Sequence, residues 1–315
     1  SSVSASPPMP STHQPTVSVV IPTYGRPGQL TGCLAALGRQ GLPREAFEVL
    51  VVDDGSPLPL DGVIASIDDG LRPRLVRQAN AGPAAARNRG VNEARGTLVA
   101  FTDDDCRPEP DWLASLIAAE RRCPGALVGG STVNGLPREL FASASQLIID
   151  MVYDHFNAEP ADAYFLTSNN MLCSREAYLS IGGFDASFPR AGAEDRDFCD
   201  RWRAAGRRLA WVPEARIEHR HSQSLRTFLD LHYRYGRGAH RYQSLRRSRG
   251  TGTMAEDLGF HASLPRRLWR ALGRERGMLR RAQLAGALSL WQAANAAGFL
   301  AEAWSPRGGP RGCRP

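Results

Sequence analysis

The sequence predicts an α/β protein: a mostly parallel sheet flanked by helices, followed by a basic α-helical extension. Three observations predict it. Short apolar runs alternate with segments of helical composition through the first hundred residues, each apolar run ends in a polar cluster, and strand signals vanish after about residue 219. Alternating strand and helix implies parallel pairing through right-handed crossovers.

Taken in order, "VSVVI" at 17–21 reads as a buried strand and "GQLTGCLAALGRQ" at 28–40 as its crossover helix. "FEVLVV" at 47–52 is the second strand, and the shorter "RLV" at 74–76 fits between it and the helix "AAARNRGVNEAR" at 84–95. "GTLVAFT" at 96–102 is the third major strand. "PDWLASLIAAERR" at 110–122 is helical, and "EDRDFCDRWRAAG" at 194–206 is a helix that closes on Gly206. Beyond 219, "SLRTFLDLHYRYGRGAHRYQSLRR" is helical, basic and aromatic. "LAGALSLWQAANAAGFLAEAW" at 284–304 is apolar, but Gln292, Asn295 and Glu302 interrupt it, which favours an interfacial or core helix over a membrane span. The expected division is a disordered leader over 1–15, the α/β domain over 16–220, the basic helical extension over 221–304 and a low-complexity tail over 305–315.

A chain of 315 residues with 42% hydrophobic and 23% charged residues builds a real core. Residues 1–15 lack a basic start and an apolar stretch, so no signal peptide is read there and the cytoplasm is the default compartment. The six cysteines, Cys33, Cys106, Cys123, Cys173, Cys199 and Cys313, form no CxxC pair, which argues for buried thiols rather than disulfides or zinc. All 39 basic residues of the Lys plus Arg total are arginine. Without lysine, a Walker P-loop, a protein-kinase site and a pyridoxal phosphate Schiff base all fall away. Residues 1–215 carry 20 Arg against 26 acids, a net −6, and residues 216–315 carry 19 Arg against 6 acids, a net +13. An acidic half is joined to a basic segment suited to an anionic surface, or simply to a solvated arginine-rich face.

In parallel sheets, ligands bind in the crevice outside the carboxyl ends of the strands. Here "PTYGRP", "DDGS" and "TDDDC" follow the three major strands and converge there. Asp103, Asp104 and Asp105 stand side by side at a strand end, where like charges raise each other's pKa unless a cation joins them. Mg²⁺ or Mn²⁺ takes carboxylate oxygens together with substrate phosphates, so the triplet is expected to hold a metal that holds a diphosphate. With residues two apart pointing the same way, Asp103 and Asp105 are expected to act together while Asp104 faces elsewhere. The plain alternative is an exposed acidic turn. Arg87 lies at a loop-to-helix transition near the crevice and pairs with a base or phosphate, or with water. Glu194 and Asp195 open a helix, where acids also complement the helix dipole. His219 and His221 offer imidazoles to a metal, or sit on the surface or in a core.

"VSVVIPTYGRP", "VLVVDDGS", "NAGPAAARNRG", "LVAFTDDDCRPEPDWL", "SNNMLCSREAYLSIGGFD", "GAEDRDFCDRW" and "HRHSQSLRTF", in that order, resemble a family-2 glycosyltransferase of GT-A fold over roughly residues 16–240. The resemblance implies a Rossmann-like GT-A sheet, a nucleotide-diphosphate sugar donor with UDP the commonest choice, a hydroxyl acceptor and transfer with inversion. It assigns Thr23, Asp54 and Arg87 to the nucleoside, with Asp53 assisting. Asp105 becomes the direct metal ligand and Asp103 stands nearer the ribose and metal. Asn170 matches a position near sugar and acceptor, Asp195 the catalytic base and Glu194 a shaper of the acceptor pocket. His219 matches the metal-binding histidine, with His221 as fallback.

No "QxxRW" motif of processive synthases is present, so single-sugar transfer is expected. The segments "LRTFLDLHYRYGRGAHR" and "PRRLWRALGRERGMLRR" are expected to lie on an anionic membrane at its cytoplasmic face, and no nucleic-acid partner is expected. Two other classes compete: a haloacid-dehalogenase-type Mg²⁺ phosphatase, which places Asp-x-Asp on its first strand and uses a lysine, and a non-catalytic nucleotide-sugar-binding protein. A nucleotidyltransferase would need a Gly-rich loop with Arg and Lys after the first strand, and "PTYGRPGQL" offers only Gly25, Arg26 and Gly28.

Overall fold

The computed structural model describes residues 14–67, 70–188, 192–252 and 254–305, except the side chains of 254–258. The leader expected over 1–15 and the tail expected over 305–315, Cys313 included, lie almost entirely outside the described residues.

The elements follow in chain order as β1 (Val17–Thr23), α1 (Pro27–Leu37), β2 (Phe47–Asp53), α2 (Asp61–Ala65), β3 (Arg74–Arg77), α3 (Pro83–Glu93) and β4 (Leu98–Phe101). Next come β5 (Cys106–Pro108), α4 (Trp112–Arg122), β6 (Leu127–Asn134), α5 (Leu140–Phe156), β7 (Met171–Ser174) and α6 (Arg175–Ser180). The chain closes with α7 (Glu194–Ala204), β8 (Leu209–His219), α8 (Leu225–Arg249), α9 (Met254–Arg274) and α10 (Met278–Trp304). The expected strands and helices of the first 122 residues are all present, within a few residues at each end.

The sheet runs β3-β2-β1-β4-β7-β6-β8-β5. Strands β1, β2, β3 and β4 pair in parallel, as do β6 and β8, while β7 and β5 run antiparallel to their neighbours. Buried on both faces, β4 is wholly apolar and β1 nearly so, with Ser18 the one polar residue before Thr23, as strands inside a covered parallel sheet tend to be. One apolar layer under the sheet joins α1 and α4 to β1, β2 and β8; the other joins α3, α5 and α7 to the opposite face. The chain leaves β1 toward β2 on one side and returns to β4 on the other, so the topological switch point lies between β1 and β4. It opens where Thr23 and the Asp triplet end their strands.

Local chemistry sets the helix ends that matter. Pro27 and Pro83 start α1 and α3 at positions whose N–H would be unpaired anyway. Helix α7 has Glu194, Asp195 and Asp197 in its first turn and Arg201 and Arg203 in its last, each complementing the helix dipole. Helix α8 opens with a capping box of Ser224 and Thr227 and stops at Gly250, which takes a left-handed φ of 71°.

The helices after His219 share a core with the sheet. Phe228, Phe260, Leu264, Leu284, Leu288 and Trp291 belong to the same buried cluster as Val20 and Phe101. The boundary expected at 220/221 is therefore where strands stop, with packing continuous across it. Helix α8 presses close to both its neighbours: a Cβ on Gly236 would overlap the Asn295 carbonyl of α10, and one on Gly238 would overlap the Gly192 carbonyl just before α7. Arg249 reaches both Asp197 and Asp200 at 2.8 Å. Thus α8 braces the start of α7 directly.

Candidate active site

The three aspartates end up with three different partners. The amide of Cys106 donates to the Asp103 carbonyl at 3.0 Å, closing a tight turn that splays the side chains instead of alternating them as in a strand. Asp103 Oδ1 accepts from Arg87 Nη2 at 2.6 Å. Asp104 is fully buried: Oδ2 accepts from the Thr23 hydroxyl at 2.7 Å across the switch point, and Oδ1 pairs with Arg26 Nη2 at 2.9 Å. Asp105 Oδ2 meets Arg26 Nη1 at 3.0 Å and His221 Nδ1 at 3.0 Å, and its Oδ1 faces His219 Nε2 at 3.3 Å. The expectation that Asp103 and Asp105 point together is not met, because the turn separates them.

These placements fix the protonation states. Burial pushes the Asp104 carboxyl up to about 7, against the opposing pull of Arg26. For Asp105, burial also raises the carboxyl, yet His219, His221 and Arg26 outweigh it and hold the group well below its ordinary range. Burial lowers His219, and Asp105 more than reverses that, so its imidazole is raised. The pairing of β5 with β8 explains the meeting: Cys106 stands opposite His219 in that antiparallel ladder, and the Arg220 amide donates to the Asp105 carbonyl at 2.8 Å.

Asp105, Cys106 and His219 bring a carboxylate oxygen, a thiol and a ring nitrogen within 4.8 Å of one another. Burial holds the Cys106 thiol protonated well above its ordinary value, so the working donor set is one anionic oxygen and one imidazole. Oxygen and imidazole donors with room for phosphate oxygens and water fit Mg²⁺ or Mn²⁺. Asp103 stands outside that cluster, on Arg87.

On the far side of Arg87 lies the start of α7. Arg87 Nη1 is 3.7 Å from Glu194 Oε1, and Glu194 Oε2 accepts from the Gly192 amide at 2.7 Å. Asp195 Oδ1 accepts from the Arg196 amide at 2.8 Å. Burial and then the neighbouring Glu194 charge push the Asp195 carboxyl up to about 7. Arg87 is itself buried, and its Nε and Nη1 carry no hydrogen bond among the described residues. Burial and then the charges of Asp195, Glu194 and Asp103 raise the hydroxyl of Tyr235 in α8, so that helix lies within electrostatic reach of this group.

Asp53 and Asp54 serve the loops around the crevice. Asp54 uses both oxygens, accepting from Gln78 at 2.7 Å, Ala81 N at 2.9 Å and Gly82 N at 2.8 Å, and so anchors the entry to α3. Asp53 Oδ1 accepts from Ser56 N at 2.9 Å and lines a cleft of about 160 Å³ with Gly55, Ser56, Pro57, Pro59, Arg77 and Gln78.

Asn170 is not brought to the crevice. Fully buried, it donates from Nδ2 to the carbonyls of Ser131 at 3.0 Å and Ala215 at 3.1 Å and accepts from Trp112 Nε1 at 2.8 Å. Every hydrogen-bonding group of its carboxamide is spent tying β6, β8 and α4 to the residue before β7. Asn170→Ala is therefore expected to cost about 1–3 kcal/mol through unpaired buried groups, with nucleotide affinity of the remaining folded protein unchanged. Thermal melting beside nucleotide titration checks this.

Arg26 and Tyr235 had no signal in the sequence beyond residue type. Arg26 lies in the quoted "PTYGRP", and a second carboxylate-facing cation there was readable only once the strand ends were placed.

The model of Glycosyl transferase family 2 matches residues 18–182, and that of the N-terminal domain of galactosyltransferase matches residues 153–223. The validoxylamine A glucosyltransferase of Streptomyces hygroscopicus subsp. limoneus is 31% identical over 258 residues, covering 70% of this chain and 57% of the relative. The pre-mycofactocin glycosyltransferase of Mycobacterium tuberculosis is 31% identical over 230 residues, covering 71% of this chain and 46% of the relative. The chain thus spans about half the length of the curated relatives it matches. In fold, it is similar to a mannosyltransferase from Pyrobaculum calidifontis solved with GDP-Man and Mn²⁺, with a TM-score of 0.65 at 21% identity over 93% of this chain and 88% of that one. It is also similar to S. aureus TarS 1-349 in complex with UDP-GlcNAc, with a TM-score of 0.53 at 18% identity over 91% of each chain. The sheet with its switch-point crevice is a GT-A fold. Because the matched stretch runs from the first strand through β7, and therefore contains the whole switch point with its aspartate triplet, the chain belongs to glycosyl transferase family 2.

Proposed function

We propose that this chain transfers a sugar from a nucleoside-diphosphate donor to an acceptor hydroxyl with inversion, one sugar per encounter. One observation carries the reading: buried Arg87 bridges Asp103 of the triplet and Glu194 of the α7 start, so a cation-binding side and a base side face one crevice. The relatives' printed names are glycosyltransferases, and the neighbours' titles include GDP-Man with Mn²⁺ and UDP-GlcNAc, which supports a nucleotide-sugar donor.

In this reading Thr23 and Asp53 frame the nucleoside side, while Asp54 holds the loop before α3 in place. Arg87 Nε and Nη1 carry no hydrogen bond among the described residues, Nη1 facing Glu194 at 3.7 Å, and these buried donors are left for the donor substrate's oxygens. Asp105 and His219 would hold Mg²⁺ or Mn²⁺, with His221 turned to the other Asp105 oxygen, and the bound cation supplies charge neutralisation for the departing diphosphate. Asp195 keeps Oδ2 without a hydrogen bond among the described residues, and that oxygen takes the acceptor hydroxyl's proton as the acceptor attacks from the opposite face. Glu194, tied to Gly192 and Arg87, fixes the turn that presents it. Holding both substrates in line contributes much of the remaining acceleration.

The first test is calorimetric titration of UDP, GDP and dTDP, each with and without Mn²⁺. Metal-dependent binding of one nucleotide is expected; tight binding indifferent to the metal would overturn the metal reading.

The anionic-surface partner is proposed for a smaller region than the composition suggested. In α8, Arg246 and Arg249 turn inward to Asp200 and Asp197. The corner between α9 and α10 instead exposes Trp269 (82%), Met278 (84%) and Leu279 (74%) among the exposed arginines Arg266, Arg270, Arg274, Arg276 and Arg281. Arginines around protruding apolar side chains suit an anionic bilayer surface. No helix among the described residues is long and apolar enough to cross a membrane. Co-sedimentation is expected with phosphatidylserine vesicles, weakened by Trp269→Ala; equal binding to neutral vesicles, or none, would refute it.

A further inference from the structure

Arg26 lies outside every role assigned above, yet its guanidinium contacts two of the three aspartates. Its Nη2 and Nη1 reach Asp104 Oδ1 at 2.9 Å and Asp105 Oδ2 at 3.0 Å, a two-pronged bridge between neighbouring carboxylates. The exposures give the bridge a direction. Arg26 is 40% exposed while the Asp104 and Asp105 side chains are 0% and 5% exposed, so the guanidinium covers the solvent side of both. It hangs from the short connection between β1 and α1, after Gly25 with its left-handed φ of 64°. Among the described residues the Arg26 side chain makes no hydrogen bond or ion pair outside the triplet, whereas Arg87 is enclosed and fixed.

We propose that Arg26 is the resident counter-cation of the metal-free carboxylates, opposing divalent-cation binding until a diphosphate takes over its guanidinium. The inference rests on the metal site proposed above. Its physics is simple. Paired aspartates at a crevice need positive charge, and a tethered guanidinium supplies it without metal. An incoming divalent cation would meet that charge near its own ligand, and a guanidinium released from carboxylates matches phosphate oxygens equally well. Metal and diphosphate then bind cooperatively, because each removes a cost that Arg26 imposes on the other.

The test is calorimetry with Mn²⁺ alone and with pyrophosphate at saturating Mn²⁺, on wild type, Arg26→Gln and Arg26→Lys. Without any phosphate ligand, Arg26→Gln is expected to bind Mn²⁺ about tenfold more tightly than wild type, the factor for charges of +1 and +2 about 6 Å apart in bulk-water dielectric. Pyrophosphate is expected to bind Arg26→Gln more weakly, with the pyrophosphate enhancement of Mn²⁺ affinity reduced. Arg26→Lys, which keeps the charge but not the fork, is expected to leave Mn²⁺ affinity close to wild type. Arg26→Gln binding Mn²⁺ no more tightly than wild type would overturn the inference while leaving the metal site intact. Mn²⁺ binding absent from all three proteins would overturn the metal reading, and the inference with it.

Discussion

Asp195→Asn is expected to lower kcat by about 10²–10⁴, the range a positioned general base contributes. The substitution keeps shape and the Arg196 amide contact, since the amide oxygen still accepts, but removes the group that takes the acceptor proton. Nucleotide affinity is expected to stay within a few-fold of wild type, because Asp195 faces the acceptor side in this reading. This combination separates catalysis from the competing nucleotide-sugar-binding reading, in which the variant and wild type would be equally inert. The wild-type pH profile carries the same argument. Burial and Glu194 push the Asp195 carboxyl up to about 7, so the basic form is lost as pH falls through that value. The profile of kcat/KM is expected to rise with unit slope to a plateau above about pH 7. A profile already flat from pH 5 upward would remove Asp195 from the role.

Asp105→Asn is expected to abolish measurable Mn²⁺ binding and with it the metal-dependent part of nucleotide binding and of transfer. One neutral amide oxygen beside His219 offers no anionic oxygen, and Cys106 cannot substitute while burial keeps its thiol protonated. The metal-free protein should also lose stability, because Arg26, His219 and His221 all pair with this one buried carboxylate. Removing one partner of a buried ionic cluster costs about 3–5 kcal/mol where the others cannot adjust, and less here because His219 can release its proton. The pH window follows from the two shifts. Asp105 is held below its ordinary value, so its contribution is present above about pH 4 and fades as acid protonates it. His219 is raised, so its contribution is full below about pH 6.5 and fades as pH rises through the raised value. The difference in melting temperature between metal-free wild type and Asp105→Asn should therefore be largest between about pH 4 and 6.5. A difference that stayed constant from well below about pH 4 to well above about pH 6.5 would mean that the pair carries no such charge.

Much of the fold was readable in advance because strands buried on both faces leave no freedom in residue type. The runs 17–21, 47–52 and 96–102 are dominated by apolar residues, broken only by Ser18, Glu48 and the glycine and threonines that flank 98–101, and the structure places β1, β2 and β4 there. The later strands gave no such signal. β5 has three residues, β7 has four, and β8 alternates buried with exposed positions, so their composition merges with that of loops. Helix α8 shows the same limit from the other side. Its arginines read as surface charge, but Arg246 and Arg249 are paired with Asp200 and Asp197 of α7, a partnership that composition cannot reveal.

By itself the sequence determined that polar clusters after successive parallel strands meet in one crevice, since strand direction and chain order place all carboxyl ends on one edge. It determined too that acids, an arginine and histidines gather there, and that the basic charge belongs to the helical last third. Only the tertiary structure decided what each residue does there. It turned Asp103 to Arg87, Asp104 to Thr23 and Asp105 to the histidines, enclosed Asn170, spent Asp54 on a loop and brought Arg26 onto the triplet. The physical reason is reach: a side chain's role depends on the partner within about 3 Å. Those partners lie far away along the chain, Thr23 and Asp104 being 81 positions apart and His221 and Asp105 116.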